Sequence, residues 1–178
     1  MKLSALALAA ALLAACSSTP AATAAAATAA PATPAPTVAP ATTAPAPAAV
    51  VYKADLKTAN QNPAITGPEA SCAGSVTITI TGTSVKFDGA ITGCPAGTAI
   101  NIGHIHEGAA GVNGAVKVPT PLKAGDLTLV NGGTTFSVSG TVDAALAALI
   151  AANPAGYYFN LHSTVNGGGV IRGQLVKA

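Results

Sequence analysis

The side chains with most chemistry to offer are the chain's three histidines, His104, His106 and His162. Only Ile105 separates the first two, so in an extended strand both imidazoles project from one face and Ile105 from the other. His162 closes a run in which Tyr157, Phe159 and Leu161 form one face and Tyr158, Asn160 and His162 the opposite face. Two histidines at i and i+2, joined by a third from another strand, supply three nitrogens to copper or zinc. The competing reading has His104 and His106 hydrogen-bonded to loops, with Glu107 as a solvated strand end. The simplest packing buries Ile105, Phe159 and Leu161 and turns all three histidines outward. Ile100 and Ile102 have the wrong parity for that core, so Gly103 is expected to mark a kink or bulge if they are also buried.

Nucleophilic catalysis is harder to assemble. No serine or cysteine stands in an elbow-like context, and the acids Asp55, Glu69, Asp88, Glu107, Asp126 and Asp143 lie scattered. Residues 108–114 and 167–169 are glycine-rich, but neither segment precedes a helix, so both read as turns rather than phosphate cradles. No residue is expected to be catalytic, and the scatter of the acids argues more against an enzyme than for one. A formal charge of +2 gives no electrostatic case for nucleic acid.

The three cysteines divide into two roles. Lys2, the Ala/Leu run of residues 3–13 and the small residues before Cys16 follow the order of a secretory signal. The apolar run falls short of the roughly 20 residues that a membrane span needs. Leu13-Ala14-Ala15-Cys16 resembles the bacterial lipobox, which implies cleavage after residue 15 and lipid on Cys16. An ordinary cleaved signal with a chance cysteine is the alternative. Stable anchoring takes two acyl chains or more, and serine rather than aspartate at position 17 favours the outer membrane. Cys72 and Cys94 remain as an even pair in an oxidising compartment, which implies a disulfide.

Between the anchor and the first strand, residues 16–49 reduce almost wholly to Ala, Thr and Pro after the opening serines, with Val38 the exception. Recurrent prolines from Pro20 to Pro47 interrupt any helix the alanines could start. Such a segment cannot bury a core and is expected to be a disordered, semi-rigid spacer, reaching up to roughly 100 Å at PPII rise. It also explains much of the 50% hydrophobic content, which comes largely from alanine in the first 49 residues.

Residues 50–178 must then position the histidines, and they read as all-β with one short helix. Val76, Ile78 and Ile80 alternate with threonines, and after the turn Thr81-Gly82-Thr83-Ser84 the series resumes at Val85, Phe87, Gly89 and Ile91. Pairing Ile80 with Val85 puts Ile78 against Phe87 on one face. That register sets Cys72 opposite Gly93, so a bulge or loose end at Gly89 or Gly93 must bring Cys94 into reach. Further strands are expected at 50–56, 99–106, 115–118, 127–130, 134–142, 157–163 and 170–176, with a tight turn at Asn131-Gly132-Gly133. A helix runs from Asp143, as cap, to about Ala152, with Leu146, Leu149 and Ile150 as its stripe and Pro154 as its stop. Many short strands with one small helix indicate a Greek-key sandwich or barrel.

Four segments carry a family resemblance: His104-Ile105-His106-Glu107-Gly108, Gly111-Val112-Asn113-Gly114, the run from Tyr157 to Ser163, and the close Gly168-Gly169-Val170-Ile171-Arg172-Gly173-Gln174-Leu175. Over residues 50–178 the chain resembles the CHRD (chordin-type) domain family. The resemblance implies an extracytoplasmic β-sandwich with no assigned catalytic activity. More faintly, His104-Ile105-His106-Glu107 is similar to the H-x-H-E strand of Cu/Zn superoxide dismutases, which implies His104, His106 and His162 as copper ligands. Two folds of the sandwich class are therefore in view, immunoglobulin-like and superoxide dismutase-like. The chain departs from the dismutases in having no fourth, metal-bridging histidine and no His/His/Asp set for zinc. Arg172 lies near the place of their active-site arginine in a different context. Arg172 and Gln174 suit either account, and a planar guanidinium can also tie loop carbonyls together near a barrel end. Two functions follow. One is a lipid-anchored binding or structural module for a protein ligand not named by the sequence. The other is a copper-binding carrier or weak redox enzyme.

Overall fold

The computed structural model describes residues 45–178. The signal segment, Cys16 and nearly all of the expected linker lie outside the described residues. Apolar alternation builds the first three strands, β1 (Val50–Lys57), β2 (Ala73–Thr81) and β3 (Ser84–Thr92). Ile80 faces Val85 and Ile78 faces Phe87, the register expected from the two apolar series. Val76, Ile78, Val85, Phe87 and Ile91 are all buried. Full burial of side chains of this size contributes about 1.5–3 kcal/mol each.

The remaining strands are β4 (Ile100–Glu107), β5 (Val116–Pro119), β6 (Thr134–Thr141), β7 (Tyr157–Ser163), β8 (Ile171–Gln174) and β9 (Val176–Lys177), with helix α1 (Ala144–Ala152) between β6 and β7. All pair antiparallel in the order β5-β4-β7-β8-β1-β2-β3-β6, and β9 adds to β1. The connections from β3 to β4 and from β5 to β6 skip neighbours, as Greek-key arrangements require. One continuous sheet of nine strands curls into a nearly closed barrel rather than dividing into two separate layers. Asp143 caps α1, accepting from the N–H groups of Ala145 (2.9 Å) and Leu146 (3.2 Å). Of its expected stripe, Ile150 is buried and Leu146 packs against the core, but Leu149 stays 59% exposed.

Several expectations need correction. Residues 127–130 form no strand. Asn131 (φ 51°) and Gly132 (φ 76°) make a turn in which Val130 bonds only to Gly133, and Leu127 and Leu129 pack on the core from a loop. The closing strand is interrupted, because the Leu175 N–H donates to the carbonyl of Tyr157 between β8 and β9. The irregularity in β4 falls between Ile100 and Ile102, not at Gly103, and it returns Ile100 to the core while Ile102 stays half-buried. Cys72 and Cys94 do form a disulfide, and the loose end that allows it is Gly93, at φ 69°. Among the described residues no helix is long and apolar enough to cross a membrane.

Candidate metal centre

Strands β4 and β7 bring the three histidines together. His104 stands opposite Asn160, His106 opposite Tyr158, and His162 opposite Ile102, so all three share the face turned away from Ile105, Phe159 and Leu161. That face is not solvent, as the simplest packing expected. Every residue of β7 is buried, and only His104 of the three histidines is half-exposed. Two glycine-rich loops, residues 108–114 and 164–169, fold back over the strands and make a second, polar layer there.

Those loops orient the rings. His106 Nδ1 lies 2.9 Å from the carbonyl of Gly114, and His162 Nδ1 lies 2.9 Å from the carbonyl of Gly167. A carbonyl can only accept, so each Nδ1 carries its proton and each Nε2 is left with a lone pair. His106 Nε2 is buried and has no hydrogen-bond partner. His162 Nε2 lies 3.2 Å from His104 Nδ1, which must donate in the metal-free protein. One nitrogen from each ring falls within 4.8 Å of the others. Two nitrogens bound to one ion at about 2.0–2.1 Å would stand roughly 3.3–3.5 Å apart, so the pair already has close to the needed spacing. Ring–carbonyl bonds of this kind fix the tautomer in metal sites and raise ligand basicity.

Electrostatics keep two of the three histidines neutral. Burial, and then the neighbouring His162 and His106, push the pKa of His104 down to about 4. Burial also lowers that of His106, and the nearby His162 and Arg172 add to this, against an opposing contribution from the Gly114 carbonyl. Neutral imidazole is the form that binds metal.

Arg172, 1% exposed, supports the loop over His106. Its guanidinium donates to the carbonyls of Ala109 (2.9 Å) and Val112 (2.8 Å) and to Asn113 Oδ1 (3.3 Å). It also lies 3.3 Å from the centroid of the Tyr158 ring, which stacks on His106 at 4.8 Å between centroids. The Tyr158 hydroxyl accepts from the Gly114 N–H (3.2 Å). Position 114 must be glycine, since a Cβ there would stand 1.5 Å from the Glu107 carbonyl oxygen. Gln174 Nε2 reaches the carbonyls of Gly108 (2.9 Å) and Ala155 (2.8 Å). Both residues therefore hold loops, as a guanidinium and an amide can, rather than reach the histidine nitrogens. Glu107 stands outside the cluster, paired at the surface with Lys117 (2.7 Å).

Sequence reasoning brought the three histidines to one face but assigned no part to Tyr158, which stacks on His106, or to Asn160, whose Nδ2 lies 3.4 Å from His162 Nε2. The parity of β7 already placed both beside His162. The Gly114 and Gly167 carbonyls are backbone groups, and no side-chain pattern marks them. Among the described residues the cluster is the only group of three or more side chains of the metal-ligating types that lie this close together.

A family model described as CHRD domain matches residues 52–175, a span that runs from β1 to the end of β8 and contains the histidines, Arg172 and Gln174. No curated protein and no solved structure matches the chain. With the match covering more than half of its length, the chain belongs to the CHRD domain family.

Proposed function

We propose that this CHRD module binds copper through His104, His106 and His162, and that it does so outside the cytoplasm on a lipid anchor at Cys16. Family membership supports a binding or structural module. The observation that carries the metal reading is His106 Nε2, a buried lone pair without a partner that belongs to the same tight cluster as the other two rings. Leaving a buried polar atom unsatisfied costs about 1–3 kcal/mol, and an ion shared with His104 and His162 removes that cost. Three neutral nitrogens suit copper and zinc, and copper binds more tightly at such sites.

When bound, copper would supply one-electron redox chemistry. The chain's own residues hold the ligands, shift one proton and limit water. His104 must pass its Nδ1 proton to Nε2 to offer the nitrogen nearest His162, a change of tautomer that needs no net loss of charge. Its half-exposed edge is the side by which an ion would enter or leave, which favours a carrier. Outside the domain, the lipobox-like residues 13–16 and the proline-rich spacer support display on a lipid anchor, and Ser17 supports the outer membrane as its place.

Metal content after incubation of the purified protein with Cu(II) and removal of excess tests the binding claim. About one copper per chain is expected, and after the same removal of excess metal His106→Ala should retain much less. Protein that retains no copper overturns the reading.

A further inference from the structure

We infer that Glu69 is a positioning residue for the metal centre, holding His162 through the loop that follows it. The inference rests on the copper reading above. Glu69 lies in the 3₁₀ turn Pro68–Ser71, far in sequence from the histidines, and is 3% exposed. It makes no ion pair among the described residues. Burying a carboxylate without a cation is costly, and an apolar side chain would fill the space without that cost.

Its hydrogen bonds suggest what is gained. One oxygen, Oε2, accepts from Ser163 Oγ (2.6 Å) and from Asn166 Nδ2 (2.5 Å). Ser163 directly follows His162, and Asn166 directly precedes Gly167, whose carbonyl fixes His162 Nδ1. The carboxylate therefore grips both ends of the short segment that orients this ring. Asn166 tightens the same loop, taking N–H bonds from Ser163 (3.3 Å) and Gly169 (3.0 Å) on its carbonyl and donating its own N–H to Ser163 Oγ (2.9 Å). The turn that carries Glu69 is secured in turn. The Cys72 N–H donates to the Glu69 carbonyl (3.0 Å), and Cys72 is tied to Cys94 by the disulfide.

The other carboxylate oxygen, Oε1, is buried without a partner. Because one oxygen takes both donors, glutamine can keep the grip and alanine cannot. Outer-shell partners of metal ligands typically change affinity on the order of 10–100-fold.

The test uses the full chain, with imidazole nitrogens followed by NMR in metal-free protein and copper affinity by competition titration. In native protein His162 should show the Nδ1–H tautomer alone. Glu69→Ala should give mixed tautomers and weaken copper binding on the order of 10–100-fold. Glu69→Gln should keep the native tautomer and stay within about threefold in affinity, as neutral acceptors retain much of such a bond. If Glu69→Ala does not fold, Asn166→Ala removes one of the two donors and should shift the same tautomer signal. A folded Glu69→Ala protein with the native tautomer and native affinity overturns the inference, as does an unchanged tautomer in Asn166→Ala when the alanine variant is unfolded. Native protein that binds no copper counts against the copper reading instead, and the tautomer result still decides the role of Glu69.

Discussion

His104, His106 and His162 differ in how they are held, and the differences lead to separate expectations. His106 and His162 are oriented by backbone carbonyls, whereas His104 leans on His162 alone. Substituting His106 or His162 with alanine should weaken copper binding by at least on the order of a hundredfold, more than loss of an outer-shell partner costs. Competition titration measures this, and affinity within tenfold of native would remove that histidine from the ligand set. Acid gives a second handle. In the unfolded chain a histidine takes its proton near pH 6.5, but folded His104 resists until about pH 4. Between those values the unfolded chain binds more protons, so the metal-free fold loses stability as pH falls through that window. Urea midpoints recorded from pH 7 to pH 5 should decline, and less so in His104→Gln. A midpoint independent of pH over that range would contradict the burial argument. Arg172 belongs at this scale too. Arg172→Met leaves the Ala109 and Val112 carbonyls without their buried donor and should cost about 2–4 kcal/mol, readable as a lower urea midpoint.

At the scale of elements, what was legible in the sequence was what alternation encodes. The β2–β3 hairpin, with Ile78 against Phe87, needs only a period of two and a turn, and both are explicit in residues 76–91. Parity in β4 and β7 likewise put the three histidines on one face. Closure of the two glycine loops over that face was not legible, because carbonyl positions such as those of Gly114 and Gly167 depend on loop conformation rather than on side-chain type. Residues 127–130 misled for the opposite reason: their apolar spacing suits a strand, yet the turn at Asn131-Gly132 closes on itself and the leucines reach the core from a loop. Cysteine count gave the disulfide, while the register showed that Gly93 or Gly89 must yield, and Gly93 does. Replacing Cys72 and Cys94 with serine should lower stability by about 3 kcal/mol in the chain-entropy model for a separation of 22 residues. A denaturant series under non-reducing conditions reads this directly, and an unchanged midpoint would remove the cross-link from the account.

For the whole molecule, a nearly closed barrel fixes the histidine-bearing strands in the interior of one sheet. β4 lies between β5 and β7, and β7 between β4 and β8, so neither edge carries a histidine. Sites built on rigid elements hold their geometry better than sites on loops. The anchor is a separate claim, and Cys16→Ser should yield protein that takes up no radiolabelled palmitate. Normal labelling of that variant would sink the lipoprotein proposal without touching the barrel.

The most direct measurement of the central claim is the electron paramagnetic resonance spectrum of protein loaded with one equivalent of Cu(II). Native protein should show a single copper species whose hyperfine structure reports three imidazole nitrogens, falling to two in His106→Ala. A spectrum of free or oxygen-ligated copper in the native protein, or one that His106→Ala leaves unchanged, would contradict it.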